Sequence, residues 1–233
     1  NGPVLDISER LFRIAKTGLA FSLFGLGGLL LAVTVFPLIS LLTPGNSQTR
    51  KRIRGIIHRV FKLFLWFVQA IGLYEIKVNG AEKLATCRGC LVVANHPTLL
   101  DVVILMALNQ NFQCVVKHQL WRNVFLRGVV SAAGFIRNDL SAEEFIEQCA
   151  KSFAAGDNLL LFPEGTRTIP GEFPKLFRGF ANIAILSQAD IQIVVIQCEP
   201  VTLTREEPWY AVSESRARFQ VNVGDLWGKS TFA

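Results

Sequence analysis

The chain has 233 residues, 51% apolar and 18% charged, a balance that excludes an intrinsically disordered segment and supports one sizeable domain plus an appendage. Its net charge of +6 suggests nucleic acid only until it is divided. Residues 1–73 hold nine Lys/Arg against Asp6 and Glu9, or +7, and the other 160 residues hold fifteen basic and sixteen acidic side chains, or −1.

All the excess positive charge therefore lies beside the apolar N-terminal region, which points to anionic lipid head groups rather than DNA. Residues 17–42 carry no charge. As a helix at about 1.5 Å per residue they reach about 39 Å, against a hydrocarbon core of about 30 Å. Gly25, Gly27 and Gly28 are expected to permit close helix–helix approach, and Pro37 to kink the helix. "TPGN" at 43–46 reads as a turn. The following stretch places Arg52, Arg59 and Lys62 on one stripe, with Ile56, Ile57, Val60, Phe61, Phe64 and Trp66 over much of the rest. That is a basic amphipathic helix with an apolar later part. Two arrangements fit: a spanning first helix with the second on the surface, or a hairpin dipping into one leaflet.

From Tyr74 the pattern changes. Expected strands are "YEIKVNG", "CLVVAN", "FQCVVK", "NLLLFP", "IQIVVIQCEPV" and "RFQVNV", and expected helices cover 99–109, 120–132, 141–155 and 177–187. Alternating strands and helices make this an α/β layered domain, its central sheet largely parallel or mixed and flanked by helices. The division expected is a two-helix membrane-associated segment over 1–73 and a catalytic domain over 74–233. Among five cysteines, Cys87 and Cys90 form "CRGC". Zinc needs about four ligands and no second pair completes this one, so metal is not expected and the cysteines read as reduced thiols.

Chemistry in parallel sheets sits at the carboxyl ends of strands, and two blocks follow strand-like runs directly. In "NHPTLLD", Pro97 pushes His96 out of helical geometry while suiting the first turn of a helix. His96 is then expected to cap that helix with Asp101 one turn inside. The carboxylate fixes one ring nitrogen and the other can take a proton from a hydroxyl. The same pattern also fits a capping histidine at a strand end. In "LFPEGTRT", Gly165 lets the backbone approach a ligand, and Arg167 can fork onto a phosphate. Glu164 can hold that arginine or accept from a glycerol hydroxyl. Lys175 and Arg178 add charge ahead of a helix whose N-terminus attracts anions; a solvated basic loop is the alternative.

With these blocks in view, the sequence resembles the glycerolipid acyltransferases typified by 1-acylglycerol-3-phosphate acyltransferase. "NHPTLLD", "GFIRND", "FPEGTR" and "VVIQCEP" stand in the order of that family's four blocks, over about residues 74–205. Thr98 replaces the family's frequent serine, Arg137 follows Gly134 by three positions rather than about six, and Pro200 comes late. The resemblance implies transfer of a fatty acyl group from acyl-CoA or acyl-carrier protein to the free hydroxyl of a lysophospholipid. It implies His96 as base and Asp101 as its orienter, and Glu164, Gly165, Thr166, Arg167, Arg137, Lys175 and Arg178 as the acceptor-binding set. Amides near Gly165 are expected to serve the oxyanion. No cofactor or metal, no acyl-enzyme and no nucleic acid are expected. The expected location is a bilayer, the bacterial inner membrane with the catalytic domain on its cytoplasmic side. Three rivals remain: hydrolysis of a thioester or lipid ester, a non-enzymatic membrane-anchored binding module, and the same chemistry on a specialised acceptor lipid.

Overall fold

The computed structural model describes residues 7–42, 46–123, 126–169, 176–177, 179–213 and 215–231. The chain opens with a long apolar helix, α1 (Ile7–Leu30), a π-helical turn (Leu31–Val35) and α2 (Phe36–Leu42). The turn is where the kink expected at Pro37 is absorbed. Proline has no N–H to offer the preceding turn, and the Phe36 amide reaches back to Leu31 O instead. Ile7–Leu42 is long and apolar enough to cross a membrane by length and composition, and Leu19, Leu23, Leu26, Leu30, Leu38 and Leu41 are exposed along it.

α3 (Asn46–Ala70) returns alongside, with Phe24 packed on Phe61 and Phe64. The triple-glycine expectation fails. A Cβ on Gly25, Gly27 or Gly28 would meet nothing within 4 Å, and the close approaches are Gly128 on Ala32 and Gly18 on Trp209. The wide aromatic side chains of α3 hold the two helices apart at the glycines.

The domain then runs β1 (Tyr74–Asn79), α4 (Ala81–Thr86), β2 (Leu91–Ala94), α5 (Asp101–Met106), β3 (Phe112–Val116), α6 (Arg127–Ala133), β4 (Ile136–Arg137), α7 (Ala142–Ala154), β5 (Asn158–Leu161), α8 (Gly179–Ser187), β6 (Ile191–Glu199) and β7 (Ala217–Trp227). The sheet order is β1-β7-β6-β2-β5-β3-β4. Every pairing is parallel except β6 with β7. The six expected strands are present; β4 and α4 were not anticipated. The helix expected over 120–132 is instead a 3-10 turn at His118–Trp121 and α6. α7 matches its expected span because Ser141 and Glu144 form a reciprocal capping box.

Successive residues of the central strands feed two cores. Val92 and Ala94 of β2 and Leu160 of β5 face one cluster with Ile53, Ile57 and Val68 of α3. Leu91, Val93 and Leu159 face another with Ile183 and Ala184 of α8 and Cys149 of α7. This period-two split puts helices on both faces. The hairpin's packed face, including Ala20 and Phe36, belongs to the first cluster, so the packing continues across residue 73.

The CRGC reading is corrected: Cys87 and Cys90 form a disulfide. Gly89, at φ +68, turns the chain between them against the Phe153 carbonyl, and the cysteine Cα atoms lie 6.3 Å apart, within disulfide reach. Among the described residues no group of three or more His, Cys, Asp or Glu could hold a metal ion.

Candidate active site

β2, β5 and β3 are parallel neighbours, so the segments leaving their carboxyl ends converge on one edge. β2 continues through Asn95, whose side chain imitates one more strand residue: its Nδ2 donates to Ile196 O (2.8 Å) and its Oδ1 accepts from Ile196 N (2.6 Å). His96 leaves the sheet from that fixed point.

The helix after His96 starts later than expected. α5 begins at Asp101, so His96 is not its cap and Asp101 is its first residue rather than one turn inside. The reason is Thr98, whose amide donates to Asp101 Oδ2 (2.7 Å) and whose hydroxyl donates to Oδ1 (2.6 Å) and accepts from Leu100 N (3.2 Å). This local turn competes with helix and delays it. It brings His96 Nδ1 to 2.9 Å from Asp101 Oδ2. Asp101 is fully buried and accepts from every partner named, so Nδ1 carries the proton of this bond and Nε2 is the nitrogen left outside it. The imidazole, 17% exposed, stacks on Phe162 with ring centroids 4.2 Å apart.

The second block is fastened to the first by its backbone. His96 N donates to Glu164 Oε1 (3.1 Å), Thr168 N donates to His96 O (2.8 Å), and the Thr168 hydroxyl donates to Glu164 Oε2. Glu164 is 6% exposed. It therefore holds His96 and Thr168 rather than Arg167. Gly165, at φ +65, closes a turn by donating to Phe162 O (3.0 Å), so its own amide is occupied; the Thr166 and Arg167 amides lie beyond that turn. A Cβ at Gly165 would sit 3.3 Å from the Phe177 ring.

Arg167 Nη1 donates to the carbonyls of Leu203 (3.1 Å) and Thr204 (2.7 Å), in the loop that follows β6. Burial and then Arg205 lower the Arg167 pKa, and Asp101 opposes them. These elements enclose a groove of about 910 Å³ that His96, Lys117, Asn138, Gly165, Thr166 and Arg167 line together with apolar Val102, Leu120, Phe145, Leu161, Phe162, Phe180 and Ile183.

Of the expected set, the structure brings together His96, Asp101, Glu164, Gly165, Thr166 and Arg167. Arg137 is not with them. It forms a bidentate pair with Asp139 (2.9 and 2.6 Å) and lines another cavity. Its neighbour Asn138, in the turn after β4, lines the groove instead. Lys175 and Arg178 lie outside the described residues. Lys117 was missed. Its signal was positional: it directly follows β3, as His96 and Glu164 follow their own strands closely. His58, by contrast, only donates from Nδ1 to the Met106 carbonyl (3.0 Å).

A family model described as Acyltransferase matches residues 75–199. The chain is 24% identical over 189 residues to a chloroplastic 1-acyl-sn-glycerol-3-phosphate acyltransferase, BAT2, of Brassica napus, covering 78% of this chain and 52% of that protein. It is 22% identical over 143 residues to the 1-acyl-sn-glycerol-3-phosphate acyltransferase of Pseudomonas aeruginosa, covering 58% and 54%. It thus spans about half the length of these relatives. The crystal structure of the 1-acyl-sn-glycerophosphate acyltransferase PlsC from Thermotoga maritima superposes with a TM-score of 0.73 at 15% identity, over 97% of this chain and 88% of that one, which establishes the shared fold. With the family model matching more than half of its residues, the chain belongs to the Acyltransferase family.

Proposed function

We propose that this protein transfers a fatty acyl group from an acyl thioester, acyl-CoA or acyl-carrier protein, to the free hydroxyl of a lysophospholipid such as 1-acylglycerol-3-phosphate. The observation that carries the reading is the His96–Asp101 pair, with Nδ1 held at 2.9 Å and the ring lining a groove that also holds Arg167 and Lys117.

The thioester is an activated electrophile and the lipid hydroxyl a poor nucleophile, so the step needs a base more than a covalent intermediate. Nε2 of His96 takes the hydroxyl proton as the hydroxyl oxygen attacks the thioester carbon. Asp101 holds the tautomer and stabilises the imidazolium. The thiolate leaves and recovers the proton. The amides of Thr166 and Arg167 are the candidate donors to the oxyanion. Lys117 and the remaining guanidinium nitrogens of Arg167 face the acceptor phosphate, a role expected from the sequence for Arg167 together with Lys175 and Arg137. Val102, Leu161, Phe162 and Phe180 offer the acyl chains an apolar wall. The exposed leucines of α1 and α2 seat the protein on a bilayer, where its lysolipid already is.

The test is an acceptor screen with acyl-CoA and acyl-carrier donors, read by mass spectrometry, with His96→Ala as control. Transfer to lysophosphatidate that His96→Ala abolishes supports the proposal. Thiol release that needs no lysolipid makes the protein a hydrolase, and turnover unchanged in His96→Ala removes the base.

A further inference from the structure

A second cavity, about 620 Å³, opens between the first half of α3, α6, the two-residue β4 and the end of α7. It shares no lining residue with the His96 groove. It exists because β4 covers only the last two residues of β3, leaving the edge at Gln113 without a strand beside it.

Its wall is strongly cationic. Among the described residues, Arg50, Lys51, Arg54, Arg137 and Lys151 line it against a single carboxylate, Asp157. Arg54 and Asp157 are paired at 2.7 Å with their side chains 3% and 6% exposed. Lys151 is engaged by Glu147 only at the exposed surface, where such pairs hold weakly, whereas Arg137 is held by Asp139 through two bonds. No acidic partner of Arg50 is found among the described residues. Its stem lies across Gly134, where a Cβ would stand 2.5 Å from Arg50 Cδ. Arg50 also adds repulsion to the charge of Arg54.

The same wall holds unmet hydrogen-bonding capacity. Among the described residues, Arg54 Nε and Trp121 Nε1 are buried donors without a partner, and Gln113 Oε1 and Asp157 Oδ1 are buried acceptors without one. Arg54 and Gln113 are 3% and 8% exposed. Buried polar groups are normally satisfied, and each exception needs an explanation. Excess cations with spare donors call for an oxyanion, and spare acceptors beside them call for a hydroxyl. Ser47 also lines the cavity, in the first turn of a 25-residue helix with no acidic residue there, which adds favourable field for an anion.

We propose that this cavity is a second phosphoryl-binding site, which takes a phosphate ester carrying a neighbouring hydroxyl. The phosphate sits between Arg50 and Arg54, and the hydroxyl donates towards Gln113 or Asp157. The ester comes either from the head group of an anionic lipid or from a soluble phosphate ester. Leu41 and Leu42, 80% and 70% exposed at the end of α2, keep a bilayer source within the chain's own vicinity. The inference does not depend on the acyl-transfer reading.

The experiment uses the full chain carrying Arg167→Ala, which removes one cation of the His96 groove. The readout is the emission of Trp121, identified by its loss in Trp121→Phe. Glycerol 3-phosphate and inorganic phosphate are titrated in detergent, and phosphatidylglycerol is compared with phosphatidylcholine in nanodiscs. The expected result is a saturable change with a phosphoryl probe, weakened about tenfold or more by Arg50→Gln. A response confined to phosphatidylglycerol assigns the lipid source; a response to glycerol 3-phosphate assigns the soluble one. Arg50 is exposed, so Arg50→Gln is expected to keep the wild-type melting curve. Absence of a saturable response to every probe, or equal binding by a folded Arg50→Gln, overturns the proposal.

Discussion

The main-chain amide of His96 donates to Glu164 Oε1 at 3.1 Å, while His96 O accepts from the amide of Thr168, four residues beyond that glutamate, at 2.8 Å. Two blocks 68 residues apart in sequence are thus stapled by a reciprocal pair of bonds. The staple sets where the imidazole stands relative to the Gly165 turn and Arg167. The acidic residue of the second block holds the main chain at His96 in place.

Glu164→Ala should therefore cost both stability and turnover. It leaves a part-buried His96 N–H and the Thr168 hydroxyl without their acceptor, at about 1–3 kcal/mol for an orphaned buried group. Glu164→Gln retains one acceptor and should fall between Ala and wild type. Thermal melts alongside acyl-transfer rates check this. A Glu164→Ala protein with unchanged melting and unchanged kcat removes the staple's role.

Asp101→Asn should leave the fold in place, because an amide of the same shape can still meet Thr98, and yet slow the chemistry. The neutral amide carries no charge to stabilise the imidazolium that forms. The expected fall in kcat is about 10³–10⁴-fold, the scale of the same change in a Ser-His-Asp triad. KM for the lysolipid should move little. A loss confined to KM would make Asp101 a binding residue instead.

Arg54 and Asp157 tie α3 to the entry of β5 through a buried pair at 2.7 Å. Arg54→Met strands the Asp157 carboxylate, with an expected loss of about 3–5 kcal/mol. The double variant Arg54→Met, Asp157→Leu removes both charges and should recover most of it. Denaturant midpoints of the two variants decide the matter. Equal destabilisation by single and double variants would show that the charge is not the cause.

Burial pushes the thiols of Cys114, Cys149 and Cys198 up to about 12, against about 8.5 for an exposed thiol. A folded pKa above the unfolded one gives stability that is complete below the unfolded value and lost as pH climbs through the folded one. Above about pH 9 the unfolded chain holds fewer protons, and stability falls towards pH 12. Tyr74, also raised by burial, adds the same sign at the upper end. Denaturant midpoints measured at about pH 8 and about pH 10.5 should fall with pH, with a shallower slope in a triple Cys→Ala protein. Alkylation of the denatured chain should label three cysteines without reductant and five with it, since only Cys87 and Cys90 are bonded.

Much of the architecture is legible from local pattern. Charge collected around residues 17–42 marks the candidate membrane segment, and apolar runs bounded by turn residues mark all six longer strands. The capping box at Ser141 and Glu144 fixes α7 because both partners lie within one turn. β4 is invisible because two residues have no periodicity, and α5 starts late because the Thr98–Asp101 bonds outbid helix propensity. The disulfide turns on Gly89, whose positive φ no composition reveals.

By itself the sequence named the candidate groups for the proposed chemistry. A histidine and an aspartate five residues apart, freed by Pro97, can meet within one local turn. Only the tertiary structure decided who else faces them. The parallel alignment of β2, β5 and β3 delivers Lys117 and Arg167 to one groove, while Arg137 lines the other cavity and pairs with Asp139. Long-range placement depends on strand order and on the parity of each side chain, and neither is encoded in the spacing of any single motif.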